Sequence, residues 1–138
     1  MTGERPAALG GMRHVALFVE RFEACEQFYV EWLGMAVEWR PDPDNVYLSS
    51  GVDNVALHRG EKVDATTRQR LDHIGFIVNE IDDVDRWYQF LKSKSVEIKT
   101  EPRTHRDGAR SFYCLDPDGT MVQMIYHPPI SGLVLTSA

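Results

Sequence analysis

The sequence predicts an α+β fold made of two copies of one βαβββ unit, with the helices packed outside the sheets. Three observations predict it. RHVALFV at 13–19 corresponds to DHIGFIV at 72–78, with His14 and His73 at the second place of each, 59 residues apart. The same offset carries Phe22 onto Ile81, Cys25 onto Val84, Phe28 and Tyr29 onto Trp87 and Tyr88, Trp32 onto Leu91, and Val37 onto Val96. Each half also passes from a β-rich run to a helical period and back to short β-rich runs, which is the signature of a duplicated supersecondary unit.

The first element of each unit is a strand, because 13–19 and 72–78 are short and rich in β-branched and aromatic residues. Alternation sorts their side chains. His14, Ala16 and Phe18 share one face, and Val15, Leu17 and Val19 share the other. The aliphatic face suits packing under a helix, so His14 belongs on the helix-free side. By the same parity His73, Gly75 and Ile77 lie on that side in the second unit. Phe22, Cys25, Phe28, Tyr29 and Trp32 then follow the spacing of an amphipathic helix, which Gly34 ends as a C-terminal cap. The second helix carries Ile81, Val84, Trp87, Tyr88 and Leu91, with Asp82 and Asp83 at its positive end.

Three strands are expected after each helix, at about 36–40, 45–50 and 53–58, and at about 95–100, 110–115 and 120–126. Asp116-Pro117-Asp118-Gly119 reads as a tight turn, with proline preset at its second place and glycine closing it. The expected organisation is a flexible 1–11, a first unit at 12–59, a polar linker at 60–70, a second unit at 71–127 and an apolar tail at 128–138.

A chain of 138 residues is long enough for one domain with a real core, and its 43% apolar and 26% charged residues are those of a globular protein. The net charge of −6 argues against nucleic acid and anionic membrane surfaces as partners, because both select a basic face. Cys25 and Cys114 have no metal-type spacing and read as buried thiols of a reducing compartment. The opening MTGERPAALGG lacks the apolar stretch of a secretory signal, and no apolar run approaches membrane-spanning length. A cytoplasmic location is expected.

Paired βαβββ units with a histidine on each first strand, Phe28-Tyr29 followed by Leu33-Gly34, and Leu115-Asp116-Pro117-Asp118-Gly119 before the last strand resemble the vicinal oxygen chelate superfamily. That group includes glyoxalase I, extradiol dioxygenases, fosfomycin resistance enzymes and bleomycin-binding proteins. The resemblance covers roughly residues 12–127. It implies that the mixed sheets of the two units curl into a cup holding a metal or ligand, and that the chain pairs as a homodimer. It also puts Gln123 where members usually carry a metal-binding glutamate, and Ala56 at another usual ligand place. His58 lies on the face of Ala56, one pleat further.

The candidate metal set is therefore His14, His73 and Gln123, with His58 brought in if its strand is shifted or bulged. A single strand histidine is more often a hydrogen-bonded or solvated side chain than a ligand. Two at equivalent places of a duplicated unit shift the balance toward ligation. Gln123 can ligate through its amide oxygen but has no titratable acid, so it cannot be the proton-moving carboxylate of glyoxalase-like chemistry. It also departs from the two-histidine, one-carboxylate pattern of iron(II) dioxygenases. A neutral set favours Zn, Ni, Co or Cu over Mg and Mn, and the dioxygenase resemblance adds Fe(II).

The stretch Glu101–Arg110 carries Arg103, His105, Arg106 and Arg110 beside Glu101 and Asp107, and reads either as an anion-gripping rim or as a solvated loop. Tyr113 is a candidate cup residue, Trp39 and Tyr47 line either cup or core, and His127 is expected at the surface. The first functional expectation is a divalent-metal enzyme acting on a small oxygen-chelating substrate, either as a glyoxalase-like lyase or isomerase or in a dioxygenase-like reaction. The alternatives are a metal-free drug-binding protein of the bleomycin-resistance type and a ligand-sensing module without chemistry.

Overall fold

The structure is a computed structural model that describes residues 12–61 and 71–133, together with Arg5. Nearly all of the expected N-terminal segment and linker, and the end of the tail, lie outside the described residues. The first unit runs β1 (His14–Val19), α1 (Phe22–Gln27), β2 (Ala36–Asp42), β3 (Asn45–Ser49) and β4 (Asn54–Arg59). The second runs β5 (Ile74–Ile77), α2 (Ile81–Ser93), β6 (Arg103–Thr104), β7 (Arg110–Leu115) and β8 (Met121–Tyr126).

The two units have the same topology. Their sheets are ordered β1-β4-β3-β2 and β5-β8-β7-β6. In each, the first strand pairs parallel with the last and the other pairs are antiparallel. This is the mixed, duplicated α+β architecture that the 59-residue offset predicts.

Helix α1 continues through a π-helical turn over Phe28–Trp32. The wider turn lets the neighbours Phe28 and Tyr29 both enter the core, where their rings meet edge to face at 4.9 Å. Gly34, at φ +85°, then reverses the chain as the capping glycine.

Strand parity behaves as the alternation requires. Leu17 and Val19 are buried, whereas Phe18 is 72% exposed on the opposite face. Leu17, Val19, Phe22, Phe28 and Tyr29 form one continuous core with Val84, Leu91, Phe112 and Val122 of the second unit. Cys25 and Cys114 are free thiols within it, and burial pushes the Cys114 thiol up to about 12.

One expected strand is absent. Residues 95–100 form no ladder; only Ile98 bridges to Cys114, and the edge strand is the two-residue β6 further on, inside the expected loop. The amides of Lys99 and Thr100 both donate to the Tyr113 carbonyl, at 2.8 and 3.2 Å. Two successive donors on one acceptor put the segment out of step, as a bulge does.

The turn Asp116–Gly119 reaches across to the first unit. Asp118 Oδ1 accepts the amides of Glu20 and Arg21 at 3.0 and 2.9 Å, just before α1 begins. Buried Asp116 accepts the Tyr29 hydroxyl proton at 2.8 Å. Burial and the Asp116 carboxylate hold the Tyr29 phenol well above its ordinary pKa, so it remains a donor.

Candidate functional site

His14 opens β1, His73 immediately precedes β5, and both line one cavity of about 720 Å³. Its wall includes Arg13, Asp53 and Asn54 from the first unit and Gly75, Phe76 and Asn79 from the second. Ile130 and Leu133 of the C-terminal segment also line it, which gives the described part of the apolar tail a place. Pairing of β1 with β4 sets His14 opposite Asn54, Ala16 opposite Ala56 and Phe18 opposite His58.

Each candidate histidine has its Nδ1 held by an oxygen. His14 Nδ1 lies 2.7 Å from Asn54 Oδ1, and Asn54 Nδ2 donates to Glu38 at 3.1 Å. The carboxylate can only accept, so it fixes the orientation of the amide and presents Oδ1 to the ring. His14 Nδ1 is therefore the protonated nitrogen of the neutral ring, and Nε2 keeps its lone pair.

His58 repeats the arrangement. Its Nδ1 meets Asn45 Oδ1 at 2.6 Å, and Asn45 Nδ2 donates to both oxygens of Asp42 at 2.9 and 3.0 Å. His73 Nδ1 bonds Asp72 Oδ2 directly at 2.6 Å. All three rings thus have Nδ1 spent on an acceptor and no hydrogen bond at Nε2 among the described residues, the orientation seen when an imidazole serves as a ligand or proton acceptor.

Gln123 stands in β8 of the second sheet. Tyr113 pairs with Gln123 across the strands and meets the His73 ring edge to face at 5.3 Å. Gln123 Nε2 donates to Ser111 Oγ at 3.1 Å, which leaves Oε1 as the free acceptor. Its partner in β5 is Gly75, and a Cβ placed there would come within 3.9 Å of Oε1. Among the described residues no three His, Cys, Asp or Glu side chains gather as a metal cluster. Neither Gln123 nor Tyr113 is among the residues lining the His14 and His73 cavity; two imidazole nitrogens and an amide oxygen would make a neutral set of the kind suited to later first-row metals.

The other expected residues fall elsewhere. Ala56 is fully buried and offers no donor. His58 does not line the His14 and His73 cavity; it sits against Phe18 at 5.7 Å and Tyr47 at 6.0 Å. Arg110 is on the helix side of its sheet, where its guanidinium grips both oxygens of Asp85 at 2.8 Å and donates to Thr104. The arginine holds the Asp85 carboxyl below its ordinary pKa. Arg103 and His105 are exposed near the β6–β7 hairpin. Tyr113 is the one residue of the expected substrate group that stands beside a candidate ligand. His127, expected at the surface, is partly covered, and its Nδ1 is buried without a partner among the described residues. In the turn that follows, the amides of Ile130 and Ser131 return to the His127 carbonyl.

Sequence reasoning missed Asn54, Asn45, Glu38 and Asp42, the groups that orient His14 and His58. Their signal was parity: Asn54 and His58 share a face of β4. Which histidine each amide would meet depended on inter-strand register.

Residues 11–124 match the model of the family described as the Glyoxalase/Bleomycin resistance protein/Dioxygenase superfamily. The chain is 29% identical over 117 residues to the metallothiol transferase FosB of Staphylococcus epidermidis, an alignment covering 82% of this chain and 79% of that protein. Its fold is similar to that of the lactoylglutathione lyase from Agrobacterium tumefaciens, with a TM-score of 0.73 and 18% identity over 92% of this chain and all of the other. It is also similar to the fosfomycin resistance protein FosX from Mesorhizobium loti, at 0.68 and 21% over 86% and 93% of the two chains. The chain belongs to the glyoxalase, bleomycin resistance protein and dioxygenase superfamily.

Proposed function

We propose that the chain is a divalent-metal-dependent enzyme acting on a small substrate that chelates through oxygen. His14 and His73 supply Nε2, and Gln123 supplies Oε1. The observation that carries this reading is the state of the two rings: both line one cavity, and both have Nδ1 committed to an oxygen. Similarity to a metallothiol transferase supports metal dependence as well. A bound Zn, Ni, Co or Fe(II) ion would polarise the oxygens of the substrate. The chain's own contribution is to orient the ligands through Asn54 and Asp72 and to set Tyr113 beside His73. Gln123 holds no proton to give or take, so proton transfer falls to another group.

The chain is further proposed to act as a cytoplasmic homodimer. Val52, Leu71, Ile77, Ile130 and Leu133 line the cavity yet are 42–60% exposed, an apolar rim that a second copy would cover. Sedimentation at micromolar concentration should show the dimer, and monomer alone would contradict it. Metal content tests the enzyme reading. A metal-free drug-binding protein is the second reading, favoured by one observation: Ala56, at a usual ligand place, is an alanine.

A further inference from the structure

The chain leaves β8 in a turn that is firm within itself and lightly tied to the rest. The His127 amide donates to Ser131 Oγ at 2.7 Å, and the His127 carbonyl accepts the amides of Ile130 and Ser131 at 3.0 and 2.8 Å. Pro128 and Pro129 lie inside this closed circuit and fix two of its backbone torsions. Such a turn moves as one piece.

Its ties to the body are few. Gly132, at φ +80°, holds a backbone conformation that other residues rarely adopt and donates its amide to Asn79 Oδ1 at 3.0 Å. Among the described residues this is the one hydrogen bond from 128–133 to the rest of the protein. Pro128 rests against the β6–β7 hairpin at Gly108, where an added Cβ would come within 3.4 Å of it. Asn79, Ile130 and Leu133 all line the cavity of His14 and His73, yet Ile130 and Leu133 are 44% and 60% exposed. They stand at its mouth and are not packed into the core. The His127 ring works against this arrangement, because its Nδ1 is buried with no partner among the described residues. Lifting the turn costs the Asn79 bond and returns that nitrogen to water, so little free energy separates closed from open.

We infer that residues 127–133 form a strap that opens and closes over the cavity, with His127 as its pivot and the Asn79–Gly132 bond as its latch. The inference rests on the proposed function only in giving that cavity to the substrate. Substrate enters with the strap lifted, and its apolar part meets Ile130 and Leu133 when the latch closes.

Two readouts on the metal-free full chain test it: amide hydrogen exchange, and the rate at which iodoacetamide labels the thiol introduced by Ile74→Cys, at a half-buried place on the cavity wall. Cys25 and Cys114 are fully buried and stay silent. Adding Asn79→Ala removes the latch. Labelling and Gly132 exchange should then quicken by about fivefold or more, the weight of one hydrogen bond, while Ile130 and Ser131, bonded within the strap, exchange as before. Asn79→Asp keeps an acceptor and should label at the native rate, which separates the latch from a general loss of fold. Labelling that Asn79→Ala leaves unchanged, or exchange that rises equally at Val122 and Met124 of β8, would overturn the inference. So would a dimer that Asn79→Ala turns into monomer, because the strap would then be a subunit contact. Neither readout needs a metal, so a chain that binds none would sink the enzyme reading and leave the strap standing.

Discussion

Tyr29 donates its hydroxyl proton to Asp116 across 2.8 Å, tying the helix of the first unit to the last turn of the second inside the shared core. Neither side chain has water to fall back on. Tyr29 is fully buried and Asp116 is 3% exposed.

Tyr29→Phe should therefore destabilise the protein by about 1–3 kcal/mol, since one carboxylate oxygen loses its partner in a buried place. Urea unfolding at neutral pH measures it. A change below about 0.5 kcal/mol would mean that water or another donor takes over.

Asn54→Leu removes the acceptor that holds His14 Nδ1 while leaving a residue of similar size. Divalent metal affinity should fall by about 10–100-fold, the usual cost of losing an orienting partner. Zinc titration with melting curves alongside decides it. Unchanged affinity would show that His14 needs no such support or is not a ligand.

Gln123→Glu should tighten metal binding and preserve the fold. The side chains are nearly isosteric, and the Ser111 hydroxyl can turn from acceptor to donor to meet the new carboxylate. The added charge faces a cation in a partly desolvated place, where attraction is less screened. Flat affinity with stability lower by about 1–3 kcal/mol would remove Gln123 from the set.

The Asp85–Arg110 pair sets a pH signature for α2. The folded carboxyl titrates below its ordinary value, so its stabilisation is full above about pH 4 and is lost as pH falls through the folded value. Asp85 is half-exposed, which limits the effect to under about 1 kcal/mol. Asp85→Asn should lower stability slightly at pH 7 and not at pH 2. An equal loss at both would assign the effect to packing.

The duplication, the parity of β1, β5 and β8 and the turn at Asp116–Gly119 were legible from spacing along the chain, whereas the bonds of that turn to the first unit were not. His14, His73 and Gln123 fell on their faces for that reason. The failed strand at 95–100 has the right alternation, but two amides sharing the Tyr113 carbonyl put it out of step, which no local pattern reveals. Arg110 was misplaced in kind: its loop suggested a rim, yet parity with buried Phe112 turns it under α2 to Asp85. The Asn54 and Asn45 relays were invisible because they cross strands. A sequence gives a side chain's face; its partner on the next strand depends on register.

Metal content of protein purified without a histidine tag or chelating resin, for the native chain and for His14→Ala and His73→Ala, tests the central claim most directly. After exposure to Zn, Ni, Co or Fe(II), the account predicts one divalent ion per chain in the native protein and its loss in either variant. A native chain that retains none of these ions at micromolar concentration, or variants that bind as well as the native chain, would contradict it.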